Sequence, residues 1–264
     1  VPHREAGGRA VANPGAAAGN LLAAPRKAYM LLGLEPDFDC WNPSQANATL
    51  QGAQFVVALS AYRSPSLEAC ADLLLPVAGF AETSGTYVNA EGLWQSFTGA
   101  TLPLGEARPG WKVLRVLGNL LDLDGFEYDS SEQVRDELRE LCADLQLDNT
   151  PGGAVADHPP QELAGLTRIG DVPLYALDPL VRRAEALQQA VDAVPACIRI
   201  NSALARAQGL EGADSAVVVQ GEGKASLPLS VDPRVPDDCV WLSAGLPGTQ
   251  TLGGQFDQVT LEKG

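Results

Sequence analysis

From Lys27 onward, apolar residues gather in short unbroken runs: KAYMLLG (27–33), QFVVALSAY (54–62) and ADLLLPVAGF (71–80). Runs of this length without apolar/polar alternation predict strands covered on both faces, and hence a parallel sheet. Between the first two, NPSQANATLQG reads as a short helix with Asn42 as cap and Pro43 as first residue; between the second and third, Ser64-Pro65 opens another over SLEACA. Strand, helix, strand, helix, strand predicts an α/β fold, an open, mainly parallel sheet flanked by helices and joined by right-handed crossovers.

The period then changes. Trp111, Leu114, Leu117 and Leu121 recur at helical steps, as do Val134, Leu138, Leu141 and Leu145, with Ser130 and Gln133 spaced for a capping box. The Pro and Gly content of 147–170 predicts a linker, and Asp178-Pro179 starts a helix with Leu180, Ala184, Leu187 and Val191 on one face. From Ala196 the chain becomes CIRI, SAVVVQ, SLPLSV and CVWLSAG, strand-like runs divided by turn residues, with one helix capped by Asn201 and ended by Gly209. This predicts a small C-terminal β-barrel with a helix plugging one end, since closure removes exposed edges. The expected organisation is an extended arm (1–26), an α/β region (27–125), an acidic helix and linker (126–170), and a C-terminal helix plus β-barrel (171–264).

Composition narrows the function. The 264 residues carry 18 Lys+Arg against 33 Asp+Glu, a net charge of -15, so the surface repels phosphate backbones and direct nucleic-acid binding is disfavoured. No charge-free stretch of about 18 apolar residues occurs, so a soluble chain without membrane insertion is expected. The start at Val-Pro-His, without a basic-then-apolar leader, reads as a fragment of a longer protein with no secretory signal. Five cysteines (Cys40, Cys70, Cys142, Cys197, Cys239) without any C-x-x-C pair read as reduced thiols, and an iron–sulfur cluster or metal site held by this stretch is not expected. His3 and His158 have no base or nucleophile partner nearby in sequence. The acidic pairs Asp122/Asp124 and Asp237-Asp238 sit in turn-like settings and read as solvated turn residues rather than a general acid and base.

Chemistry concentrates in ETSGTYVNAEGLWQSF (82–97), placed just after the third strand, where ligands of open parallel sheets sit. Gly85 and Gly92 permit positive φ or close backbone approach; Glu82, Asn89, Glu91 and Gln95 offer groups able to clamp a nucleotide-like ligand. The competing reading is that the glycines make tight turns and the polar groups satisfy loop backbone. No phosphate loop frame is present.

ADLLLPVAGFAETSGTYVNAEGLWQSF with GEARPGWKVLRVLGNLL, then PLYALDPLVRRAEALQQ and IRINSALARAQGLEGADSAVVVQ, resembles the molybdopterin oxidoreductase superfamily over nearly all of the chain from Lys27. The wording resembles its complex I branch, the large peripheral-arm subunits, of the G type, of bacterial NADH:quinone oxidoreductase. In molybdenum-bearing members the loop matching Glu82 to Gln95 lies close to a pterin dinucleotide that the barrel helps cover. The complex I branch keeps the fold without the molybdenum chemistry and carries 4Fe-4S and 2Fe-2S clusters in cysteine-rich domains at its amino end. Where the family string commonly has Arg after the second Glu-Gly, this chain has Leu93, which removes a cation suited to phosphate.

The resemblance therefore implies a scaffold within a proton-pumping translocase. Its partners would be other peripheral-arm complex I subunits on the cytoplasmic side of the membrane. No catalytic residue, metal ligand or bound cofactor is expected in this segment, and Glu82, Gly85, Asn89, Glu91, Gly92 and Gln95 would be a vestigial pterin loop. The alternatives are a fragment of a molybdopterin-dependent oxidoreductase acting on formate or nitrate, and an acidic interaction module without redox chemistry.

Overall fold

The computed structural model describes residues 16–144 and 165–264. His3, His158, Leu145, most of the expected arm and most of the expected linker lie outside the described residues. In chain order the elements are α1 (Ala18–Ala23), β1 (Ala28–Leu32), α2 (Pro36–Asp39), α3 (Pro43–Gln51), β2 (Phe55–Ser60), α4 (Pro65–Cys70), β3 (Leu73–Pro76), β4 (Gly85–Val88), β5 (Trp94–Phe97), α5 (Gly110–Leu120) and α6 (Ser131–Leu141). They continue with β6 (Leu166–Ile169), α7 (Pro179–Arg182), α8 (Glu185–Gln188), β7 (Ile198–Ile200), α9 (Ser202–Ala207), β8 (Ser215–Gln220), β9 (Gly223–Val231), β10 (Cys239–Trp241) and β11 (Gln258–Lys263). The chain divides into two compact units, one of Val1–Gly33, Phe55–Arg63 and Ala71–Ala156, the other of Leu34–Gln54, Ser64–Cys70 and Asp157–Gly264.

The first unit holds the parallel sheet, in the order β1-β2-β3. Tyr29 lies opposite Val56, and Val57 opposite Leu73. Leu31, Val56, Ala58 and Leu59 are buried, so the central strand β2 is covered on both faces, whereas Met30 and Leu32 of β1 and Leu73 of β3 are exposed, and the expectation of two covered faces does not hold for the edge strands. Asp72 ties the sheet's entry by accepting from Val56 N at 2.7 Å. The helix α5 ends where the buried Gly118 lies against the Phe126 ring, a contact that leaves no room for a Cβ. Ser130 caps α6 by accepting from Gln133 N at 3.4 Å, while Gln133 Oε1 returns to Asp129 N at 2.7 Å rather than to Ser130, so the expected capping box closes one residue early. Residues 18–23, expected as extended, form α1, whose Leu21 carbonyl accepts from Tyr29 Oη at 2.9 Å.

In the second unit, β10-β6-β11-β8-β9-β7 close into a six-stranded barrel. Alternate residues of β8 (Ala216, Val218) and β9 (Ala225, Leu227) point inward with Ile198, Ile200, Val240, Leu242, Val259 and Leu261. The helix α9 starts at Asn201, whose Oδ1 accepts from Leu204 N at 2.8 Å, and contributes Leu204 and Ala205 to this core. The three crossover helices also belong here, Asn42 capping α3 as its sequence predicts.

Two further expectations change. The stretch 166–169, read as the end of a linker, is barrel strand β6: its apolar content was diluted by flanking glycines, but its backbone pairs with both β10 and β11. The single helix expected after Asp178 is two, α7 and α8, because the chain leaves helical geometry at Ala184 (ψ 92°); Val191 is fully exposed rather than on a packed face. Just before that break, Arg182 and Arg183 turn toward α2 and its N-cap.

Candidate functional site

The segment 82–97 is an antiparallel hairpin preceded by a tight turn. Glu82 Oε2 accepts from Gly79 N at 3.0 Å and so closes that turn. Gly85 opens β4 beneath the Phe97 ring; a Cβ there would lie 2.9 Å from Phe97 Cζ. Phe97 in turn stacks on Tyr87, centroids 5.3 Å apart. At the tip, Asn89 Oδ1 accepts from Glu91 N at 3.0 Å and Leu93 N at 2.9 Å, and Gly92 takes φ 78°. Glu91 and Leu93 are exposed. Gln95 pairs with Tyr87, which puts it on the same hairpin face as Gly85 and Phe97. The opposite face meets α6: Arg135 donates to Ser96 Oγ at 3.2 Å, and the Arg139 guanidinium lies 5.7 Å over Trp94. The structure thus brings together Gly85 with Gln95 and Asn89 with Gly92, and leaves Glu82 in its own turn. Beside that turn a groove of about 490 Å³ mixes Glu82, Asp129 and Glu132 with Arg108 and Lys112.

The second unit contains a cavity that sequence reasoning missed. It measures about 410 Å³ and is built from residues of α2 and its C-terminal flank, from β6 and the segment after it, and from the loop before β11. Arg168 of β6 forms one wall and is 1% exposed. Its Nε donates to Leu242 O at 3.2 Å, Nη1 to Gln220 Oε1 at 3.1 Å and Gly253 O at 3.0 Å, and Nη2 to Ser243 O at 3.4 Å. Burial pulls this guanidinium down to about 10, with the Asp257 charge opposing. The only sequence signal was a lone basic residue inside the apolar LTRIG run.

Another wall carries Asp37, Asp39 and Cys40. Asp39 Oδ1 accepts from both Nη atoms of Arg182 at 2.9 Å, while that guanidinium sits 5.0 Å over Phe38. Burial, then the charges of Asp39 and Asp37, push the Cys40 thiol up to about 11. Trp41, 63% exposed, lines the cavity and stacks on Phe256, centroids 6.0 Å apart. Phe256 holds φ 63°, an unusual backbone for a bulky residue, fixed by its N–H donating to Arg168 O at 2.9 Å. Among the described residues no three His, Cys, Asp or Glu side chains cluster as a metal ion would need. The carboxylates expected as turn residues are so placed: Asp122 and Asp238 take φ 52° and 60°.

Residues 6–120 match the family model described as molybdopterin oxidoreductase. Over 235 residues, 84% of this chain, the sequence is 30% identical to the G-type subunit of NADH-quinone oxidoreductase from Streptomyces coelicolor. The chain belongs to the molybdopterin oxidoreductase family. Breadth within the molybdopterin oxidoreductases is evident from a nitrate reductase of Shewanella frigidimarina, 27% identical over 58% of this chain. The matched stretches span 26% and 16% of those two relatives. Among solved structures, acetylene hydratase from Pelobacter acetylenicus shares the fold with a TM-score of 0.57 at 16% identity, over 90% of this chain and 41% of its own. No helix of the described residues is long and apolar enough to cross a membrane.

Proposed function

We propose that this chain is a scaffold portion of an NADH:quinone oxidoreductase subunit of the G type, supporting electron transfer from NADH to quinone without gripping a redox centre itself. The observation that carries the reading is the hairpin tip, where Asn89 spends its side-chain oxygen on the backbone N–H groups of Glu91 and Leu93 and an apolar residue follows Gly92. A pterin dinucleotide carries phosphate, and the tip residues Asn89 to Leu93 do not fit one: none of them is a cation, and the neighbouring Arg139 and Arg135 lie against Trp94 and Ser96 on the face turned to α6. In the second unit, Arg168 directs its hydrogen bonds to oxygens of its own chain, and Asp37 and Asp39 line the same cavity. Glu82, Gly85, Asn89, Glu91, Gly92 and Gln95 are then remnants that keep the hairpin's shape.

In this reading the 4Fe-4S and 2Fe-2S clusters belong to other parts of the assembly. The partners are the other subunits of its peripheral arm on the cytoplasmic side, and proton translocation is a property of the whole complex. The similarity to the Streptomyces coelicolor protein over most of this chain supports it.

A second reading, a portion of a molybdopterin-dependent oxidoreductase acting on a small substrate such as formate or nitrate, draws on the match to a nitrate reductase. Elemental and pterin analysis of the purified chain separates the two. The scaffold reading expects neither molybdenum nor pterin to co-purify, even after supplementation with both; one molybdenum or one pterin per chain would overturn it.

A further inference from the structure

We propose that the cavity beside Asp37 is a docking pocket for a basic side chain, preferentially arginine, presented by a partner polypeptide. The inference rests on the assembly reading above and names the chemistry of one contact.

The wall that would receive the group already holds one of its kind. Arg182 lies 5.0 Å over the Phe38 ring and puts both Nη atoms 2.9 Å from Asp39 Oδ1, so α2 presents an aromatic face and a carboxylate in the geometry a guanidinium takes. Asp37, on the same short helix, is a second carboxylate. Its Oδ1 accepts from Asn47 Nδ2 at 2.7 Å, and Asp37 lines the cavity. Trp41 supplies a second aromatic face, more than half exposed and stacked on Phe256, which is also more than half exposed. Pro43, Val172 and Leu177 complete an apolar lining suited to an aliphatic stem.

The electrostatics select the sign. Arg168, on the opposite wall, spends four of its five N–H groups on neutral oxygens of Leu242, Ser243, Gly253 and Gln220, so it has little left to donate to an incoming anion. At the other wall the rise of the Cys40 thiol reflects, after burial, the negative field of Asp39 and Asp37. A phosphate or carboxylate entering there would meet Asp37, whereas a guanidinium would pair with it. The net charge of -15 adds long-range attraction for a basic partner. One guanidinium in one pocket binds weakly by itself, which is why the group belongs to a polypeptide that brings a wider contact surface.

The test uses acetyl-arginine amide and its uncharged counterpart acetyl-citrulline amide, titrated into the 15N-labelled chain. Expected are saturable NMR shifts of the Trp41 indole N–H and of the Cys40 and Gly245 amides, with binding about fivefold weaker for the citrulline probe. Asp37→Asn should remove that preference, and Trp41→Ala should weaken both probes, so a folding failure in one variant leaves the other decisive. Glu262→Gln, on the exposed barrel exterior, should change nothing. Equal affinity for the two probes, shifts scattered over the acidic surface, or tighter binding of inorganic pyrophosphate at the same resonances would overturn the proposal. Molybdenum or pterin in the purified chain would defeat the scaffold reading, and absent arginine binding in a metal-free chain would defeat only this one.

Discussion

Glu35 and Arg183 meet in a two-point contact across 148 positions of sequence, Nη1 to Oε1 and Nη2 to Oε2, each at 2.9 Å. Glu35 is 2% exposed and also lies 3.5 Å from Arg182 Nη2, whose guanidinium in turn holds Asp39. Four charges on α7 and its C-cap, and on α2 and its N-cap, thereby form one neutral cluster. Deleting one member of such a buried set leaves the others without a counter-charge. Glu35→Gln is expected to destabilise the second unit by about 3 kcal/mol. Urea unfolding followed at barrel amides checks this through a lowered midpoint, and an unchanged midpoint would refute it.

Arg168 is held by a forked donor group, and a lysine at that position reaches at most three acceptors from a single point. Arg168→Lys should therefore leave at least one of the four acceptors, Leu242 O, Ser243 O, Gly253 O and Gln220 Oε1, without its donor, at a cost of about 2 kcal/mol. Thermal unfolding of the two proteins at one pH measures the difference. A melting temperature equal to that of the parent would show that the fork is dispensable.

The pH dependence of Cys40 gives a sign that can be checked. Its thiol sits near 11 in the folded chain against an ordinary value of 9.0. Below the ordinary value both folded and unfolded chains keep the proton. As pH rises from about 9 to about 11 the unfolded chain loses it first, so the stability tied to the neutral thiol declines across that window. Cys40→Ser should flatten this part of the stability profile. In the native chain, alkylation of Cys40 mapped by mass spectrometry should lag that of an ordinary thiol until pH approaches 11; a rate that saturates near 9 would contradict the burial described.

The parallel sheet and the helix starts were legible because they rest on local rules. Unbroken apolar runs of strand length mark strands, although only β2 is covered on both faces, and Asn42, Ser130, Asp178 and Asn201 each cap the helix that follows by accepting from its first free N–H groups. The polar segment after β3 was also visible, but not that it would close on itself. Whether Asn89 reaches a ligand or its own turn depends on a φ of 78° at Gly92 and on the pairing of β4 with β5.

Pattern and composition alone determined the α/β character, the barrel at the carboxyl end and the strong negative charge, since each follows from residue types or their spacing along the chain, while the family was legible only through the resemblance of whole segments to known proteins. Tertiary structure alone decided that residues 34–54 join the barrel's unit, that the buried Arg168 donates to four oxygens distant in sequence, and that Asp37, Asp39 and Trp41 share one cavity with residues more than 120 positions away. Those outcomes rest on long-range pairing of charges and backbone groups, and such pairs are selected by burial in the folded chain, which leaves no periodic trace in the order of the residues.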